Sequence, residues 1–264
     1  MRSLAPLIPL EPLGRSLLKP IIGGLALLAI SSGLVAEKFE VSSGNQQVQL
    51  IELFTSEGCS SCPPADRRIS KLVNDKELWK AKVPVVFHVD YWDYIGWKDP
   101  FAKPEHTRRQ SQHKNYGNVD SVYTPAFIID GKEWRGFFQS FRWPTQKSKQ
   151  PGDLRLKYNG SEASVTFKPL VDQTKPLKLK IAWLGIGLKT EVKRGENRGK
   201  TLPHDFVVLR STTSTLDPDK GFQSSIPLDS SGLPAAKRYA LVAWLEGEKG
   251  RKPIQAVGGW IGLN

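Results

Sequence analysis

An apolar run over residues 48–55 (VQLIELFT) leads through a short turn to Cys59-Ser60-Ser61-Cys62, and Pro63 and Pro64 follow. A strand apolar at nearly every position is buried on both faces, as in parallel sheets. Ala65, Ile69, Leu72 and Val73 then recur at helical spacing. Two cysteines three apart, between a buried strand and a helix, read as a redox pair, because one turn of chain brings both sulfurs within bonding reach. A helix start also favours a thiolate through its free N–H groups and its dipole. Cys59, on the loop side, is expected to attack a substrate disulfide, and Cys62 to resolve the mixed disulfide. Pro63 and Pro64 lack N–H groups, which shifts the dipole's influence toward Cys62. An inert structural disulfide and half of a metal site are the alternatives.

The rest of this half continues the α/β pattern. Residues 83–89 (VPVVFHV) form a second buried strand, residues 104–116 a helix with proline at its start and Gly117 past its end, and residues 126–130 a third strand. Asp130-Gly131 signals a hairpin to residues 132–136. Thr124-Pro125 stands at the entrance of the third strand, where proline cannot join a central ladder and so marks a bend or a cis bond.

Beyond residue 141 the composition changes. Residues 142–150 (RWPTQKSKQ) are basic, lack aliphatic side chains and read as a linker. Runs at 154–158, 163–169, 177–184, 205–210, 239–246 and 254–261 follow between Gly, Pro, Asp and Ser turns. They form the pattern of an antiparallel β-sandwich or barrel. Residues 37–47 are polar and are expected to be a flexible lead-in.

At the N-terminus, Arg2, Arg15 and Lys19 precede an apolar and glycine-rich run over residues 21–30, and small residues lead to Ala36. This is the grammar of a secretory signal cleaved near Ala36, with an uncleaved membrane anchor as the alternative. Lys and Arg total 38 against 26 Asp and Glu, for a net charge of +12. That excess favours anionic surfaces, but no nucleic-acid module accompanies it.

The stretches ELFTSEGCSSCPPAD (52–66), FHVDYWDYIGWKDPF (87–101), RQ (109–110), VYTP (122–125) and RGENRGKTLPHDFVV (194–208) resemble a secreted bacterial family known only as a domain of unknown function. More broadly, the order of elements resembles the thioredoxin superfamily. That resemblance implies a cis-proline at Pro125 beside the cysteines, with the backbone at Thr124 pairing with substrate. It also implies that Glu52, in the first strand, serves as a buried base for the resolving thiol. The departures are Glu57-Gly58 before the first cysteine and Ser60-Ser61 between the pair.

Other candidates sit around the pair. His88 and Asp90 alternate at the end of the second strand, and His88 with Cys59 and Cys62 makes the copper or zinc alternative. Residues 91–97, with Trp92 and Trp97, follow a strand's carboxyl end and read either as an apolar wall gripping a substrate or as a small core. Residues 194–197 (RGEN) and His204-Asp205 read as a loop bridging the two halves.

The expectation is therefore a signal segment over 1–36, an α/β thioredoxin-like domain over 48–143 and an antiparallel β-sandwich-like domain over 152–264. The function expected is an exported, periplasmic or secreted, thiol–disulfide oxidoreductase. It would use no cofactor and would act on a protein or small thiol or disulfide. A redox partner would reset the pair, with no nucleic acid involved and no membrane contact beyond the signal segment. The alternative is a periplasmic protein that binds or delivers copper or zinc.

Overall fold

The computed structural model describes residues 39–138, 142–145, 148–247 and 250–262. The signal segment expected over 1–36 lies outside them. The cysteine half contributes β2 (Gln49–Thr55), α1 (Pro63–Ser70), β3 (Lys82–His88), α2 (Pro104–Asn115), β4 (Ala126–Ile129) and β5 (Lys132–Glu133). A single strand, β1 (Phe39–Ser42), precedes them. The remainder is β6 (Gly152–Tyr158), β7 (Glu162–Pro169), β8 (Leu177–Ile186), β9 (Leu188–Glu191), β10 (Thr201–His204), β11 (Val207–Leu216), β12 (Gln223–Pro227), β13 (Arg238–Glu246) and β14 (Pro253–Ile261).

One mixed sheet of eight strands runs β14-β13-β8-β11-β3-β2-β4-β5. This overturns the expected α/β thioredoxin-like domain followed by a separate antiparallel β-sandwich-like domain. Only β2 with β3 and β3 with β11 pair in parallel, strands dominate, and two α-helices occur among the described residues. The edge of β3 that would bound a first domain is occupied by β11, through Val207 opposite Val86. The described residues accordingly fall within one compact unit. Periodicity misses this because it records that a strand is buried, not which strand lies beside it.

A second sheet, β1-β6-β7-β12, packs its apolar face over β8, β13 and β14. Leu154, Leu156, Val165 and Phe167 meet Leu179, Ile181, Trp183, Leu241 and Ala243 there. On the opposite face, Ala182, Leu184, Val242 and Trp244 join one core with β2, β3, β4 and α1. β1, in the expected flexible lead-in, pairs with β6 through Phe39 opposite Tyr158, because Phe39 and Val41 have apolar surface to bury. In the expected linker, Trp143 stacks on Trp134 at 4.9 Å, so this aromatic residue is packed.

Local rules place the helices. α2 starts on Pro104 and stops before Gly117, whose φ of 68° suits a residue without a β-carbon. α1 starts on Pro63 and Pro64, where missing N–H groups cost nothing, and Cys62 is its N-cap residue. β9 and β10 form a separate two-stranded ribbon, and β10 packs on α1.

Candidate functional site around Cys59 and Cys62

Cys59 and Cys62 are joined as a disulfide, with Cα atoms 5.4 Å apart. The bond lies where the chain leaves β2 and enters α1. Ser60 and Ser61 between the cysteines are exposed, yet the cysteines themselves are only 1% and 0% exposed. Cys59 was expected to stand on the open side of the loop, and the structure corrects this. The first turn of α1 also offers Cys59 no free N–H group. Pro63 and Pro64 have none, while Ala65 and Asp66 both donate to the Cys62 carbonyl at 2.8 and 3.1 Å.

Two segments cover the pair. The Asn197 side chain donates to the carbonyls of Glu57 (2.8 Å) and Cys59 (2.9 Å), and Glu196 accepts from the Ser60 N–H at 3.0 Å. From the other side, residues 92–97 close in. A β-carbon on Gly58 would lie 2.9 Å from Trp92 Cβ, and one on Gly195 would lie 3.0 Å from Ile95. The Trp92 indole donates to Thr124 Oγ1 at 2.7 Å, and the peptide bond from Thr124 to Pro125 is cis. Trp92 thus ties the entrance of β4 to the cysteine loop.

Behind the disulfide lies a buried group of titratable side chains. Glu57 accepts from the Trp97 indole at 2.8 Å and contacts His204 Nε2 at 3.1 Å. Asp99 holds His88 Nδ1 at 2.7 Å and accepts the Glu57 N–H at 2.9 Å. The His88 and His204 rings stand edge to face at 4.8 Å. Asp66 accepts from the Thr55 hydroxyl at 3.2 Å, and its other oxygen is buried without a partner, as is His88 Nε2. Burial raises the Asp66 carboxyl above the ordinary range, although His204 and His88 oppose it. For His88, burial works against the charge, but Asp99, then Asp66 and Glu57, outweigh it and hold the imidazole above its usual value. The same pairing outweighs burial and keeps Asp99 low. Within this group His88 and Asp99 hold each other charged, while burial gives Asp66 reason to retain a proton.

A cleft of about 540 Å³ opens beside the pair, lined by Ser60, Pro63, Pro64, Asp66 and Arg67 on one side and by residues 200–203 on the other.

Residues 50–245 match the model of a family described as a protein of unknown function, DUF1223. The chain belongs to this family. The matched span contains both cysteines, the covering segments and every member of the buried titratable group. No curated protein matches the chain significantly. Among solved structures, the crystal structure of protein AGR_C_4864 from Agrobacterium tumefaciens is similar, with 23% identity and a TM-score of 0.55. That match covers 81% of this chain and 94% of that one. HBP35 of Porphyromonas gingivalis is similar at 17% identity and a TM-score of 0.51, over 83% of this chain and 76% of that one. At these identities the likeness concerns the fold.

The corner holds Cys59 and Cys62, with Trp92 against Gly58, Trp97 bonded to Glu57, and Thr124, which precedes the cis Pro125, bonded to Trp92. Glu52 is not among them. Side chains alternate along β2, so Thr55 faces α1 and Asp66 while Glu52 faces α2. There Arg109 Nε holds Glu52 at 2.6 Å, and His113 lies at 3.4 Å. Burial raises the Glu52 carboxyl, but Arg109 and then His113 outweigh it and hold it low, the state of a fixed anion rather than a base. The copper or zinc alternative finds no geometry either. The sulfurs are bonded to each other, His88 Nδ1 is engaged by Asp99, and no group of three ligating side chains occurs among the described residues. Residues 194–197 do bridge to the cysteine loop, as their polarity suggested. Sequence reasoning missed Asp66 and Asp99. Asp66 was detectable, because position i+4 from Cys62 on a helix falls on the same face.

Proposed function

We propose that the protein is an exported thiol–disulfide oxidoreductase whose Cys59–Cys62 bond opens and closes against a substrate. The observation that carries this reading is the position of the disulfide at the turn from β2 into α1, where Ser60 between the cysteines lines an open cleft and the flanking Glu57 and Asp66 belong to the buried titratable group. A substrate thiolate bonds to Cys59 as the Cys59–Cys62 bond breaks, and the electron pair leaves on Cys62. A second substrate thiolate then displaces Cys59. The substrate is oxidised by two electrons to a disulfide, the protein is left as a dithiol, and a redox partner resets it. Run in reverse, Cys59 attacks and Cys62 resolves. Thr124 and Pro125 present backbone to the substrate, Trp92 and Trp97 wall the site, and no cofactor is needed. Because both sulfurs are covered, turnover requires the loop carrying Asn197 to lift.

The burial of both cysteines favours a second reading, an inert staple at the start of α1. One experiment separates the two. The folded protein is equilibrated with thiol–disulfide buffers, trapped by alkylation and weighed by mass spectrometry. A redox pair titrates reversibly, near roughly −120 mV for an oxidant or roughly −270 mV for a reductant. A pair that resists reduction until the chain unfolds overturns the proposal.

A further inference from the structure

The cleft beside the disulfide has a chemical bias that the redox reading does not use. Its rim carries Arg67 and Lys200. Arg67 is exposed and forms no ion pair with another described residue, and Lys200 Nζ meets only the neutral Asn197 Oδ1 at 2.9 Å. Two cations without counter-charges thus flank one opening. The acids nearby are Glu196, tied to the Ser60 N–H, and Asp66, which lines the cleft while only 5% exposed. One Asp66 oxygen is taken by Thr55, and the other, buried, has no partner. That oxygen asks for a hydrogen-bond donor. Asp66 lies one helical turn beyond Cys62, so a ligand that satisfied it would stand against the cysteine corner.

Resting on the redox reading above, we propose that this cleft binds small thiols that carry carboxylates. Arg67 and Lys200 attract the carboxylates, and the thiol donates its S–H to the free oxygen of Asp66. The thiol proton passes to Asp66, and the thiolate left behind forms the bond to Cys59 as the Cys59–Cys62 bond breaks. Cys62 keeps the electron pair. The groups facing Asp66 are Thr55 from β2, His88 from β3, His204 from β10 and Asp99 from the segment before α2. Burial, which raises the Asp66 carboxyl, fits it to accept a proton, and the two histidines limit that rise. A cleft of about 540 Å³ is of the size that takes a small molecule.

The test uses the full chain with its disulfide formed and three probe thiols: mercaptosuccinate, 2-mercaptoethanol and cysteamine. The quantity read is the ratio of the reduction rates by mercaptosuccinate and cysteamine. Comparing it between proteins cancels the intrinsic reactivity of each thiol. The Arg67→Glu/Lys200→Glu variant should lower the ratio by about tenfold or more at low salt, the lower end of electrostatic steering effects. In the unmodified chain the preference should collapse at about 1 M salt, where the screening length is about 3 Å. That arm needs no variant to fold. Asp66→Asn should slow mercaptosuccinate on the order of 10²-fold and flatten the pH dependence of its rate. A ratio that ignores both salt and charge reversal overturns the cleft assignment and leaves the redox reading standing. Failure of all three thiols to reduce the folded protein overturns both.

Discussion

The two faces of β2 carry two buried polar groups built on opposite principles. Toward α2 the charges alternate in sign: Glu52, Arg109, Glu246 and Arg251 follow one another, with contacts of 2.6, 2.8 and 2.8 Å. The Arg109 guanidinium also lies over the rings of Phe87 and Trp244. Burial opposes the charges of Glu52, Arg109 and Glu246, yet the neighbours win, holding the Glu246 carboxyl down at about 2. Toward α1, the acids Glu57, Asp66 and Asp99 outnumber His88 and His204, whereas buried polar atoms without hydrogen-bond partners occur on both faces, among them Glu52 Oε1 on the first and Asp66 Oδ1 and His88 Nε2 on the second. The first arrangement fixes charge and joins elements. The second leaves room for a proton to move, and it is the one beside the disulfide. Buried ionisable side chains are therefore not equivalent markers of function. What separates them is whether their charges close.

The contrast breaks down if the α2 face proves dispensable. Arg109→Leu takes from Glu52 its closest cation and leaves Glu246 with Arg251 alone, and removing one partner of a buried pair costs about 3–5 kcal/mol. Urea unfolding should show this as the largest loss of any substitution discussed here. A loss below about 1 kcal/mol would mean that the network does not hold the fold.

The next effect concerns pH. His106, on the α2 side and packed on Phe87, is held at about 4 against an ordinary 6.5, because burial disfavours its charge. Between those values the unfolded chain takes up a proton that the folded chain refuses, so stability falls as pH drops from 6.5 to 4, by about 3 kcal/mol. His88, held above its usual value, acts in the opposite sense. Its stabilisation is complete below pH 6.5 and is lost only as pH rises through its folded value. His106→Asn should flatten the loss between pH 6.5 and 4 in denaturant titrations, whereas an unchanged slope would place the acid sensitivity elsewhere.

Smaller again is the cover over the cysteines. Asn197→Ala leaves the Glu57 and Cys59 carbonyls without their donor and should cost about 1–3 kcal/mol. It should also speed reduction of the disulfide by 2-mercaptoethanol, since the loop is freed. Slower or equal reduction would show that the loop is not the barrier. Least is expected from Asp66→Asn on stability, a change below about 1 kcal/mol by thermal melting, because one oxygen keeps Thr55 and the raised carboxyl gains little from ionisation.

Much of the cysteine corner was legible in the sequence, because its signals are local. A buried run, a two-residue cysteine spacing and prolines at a helix start each depend on neighbours in the chain. The hairpin at Asp130-Gly131 and the limits of α2 were readable for the same reason. The partner of β3 was not, since β11 arrives from more than a hundred residues away and leaves no trace in the pattern of residues 83–89. Glu52 was misread because a strand records that a side chain alternates, not which face receives the active group. Asp66 hid among the ordinary polar residues of a short amphipathic helix.

Only Val207 opposite Val86 pairs β11 with β3, so the ladder itself scarcely joins the parallel strands to the antiparallel ones. Arg109 does more, reaching from α2 to Glu52 on β2 and to Glu246 at the end of β13. Chimaeras that exchange halves between relatives should stay soluble only when these three residues travel together, and shuffled libraries should show them inherited as a set.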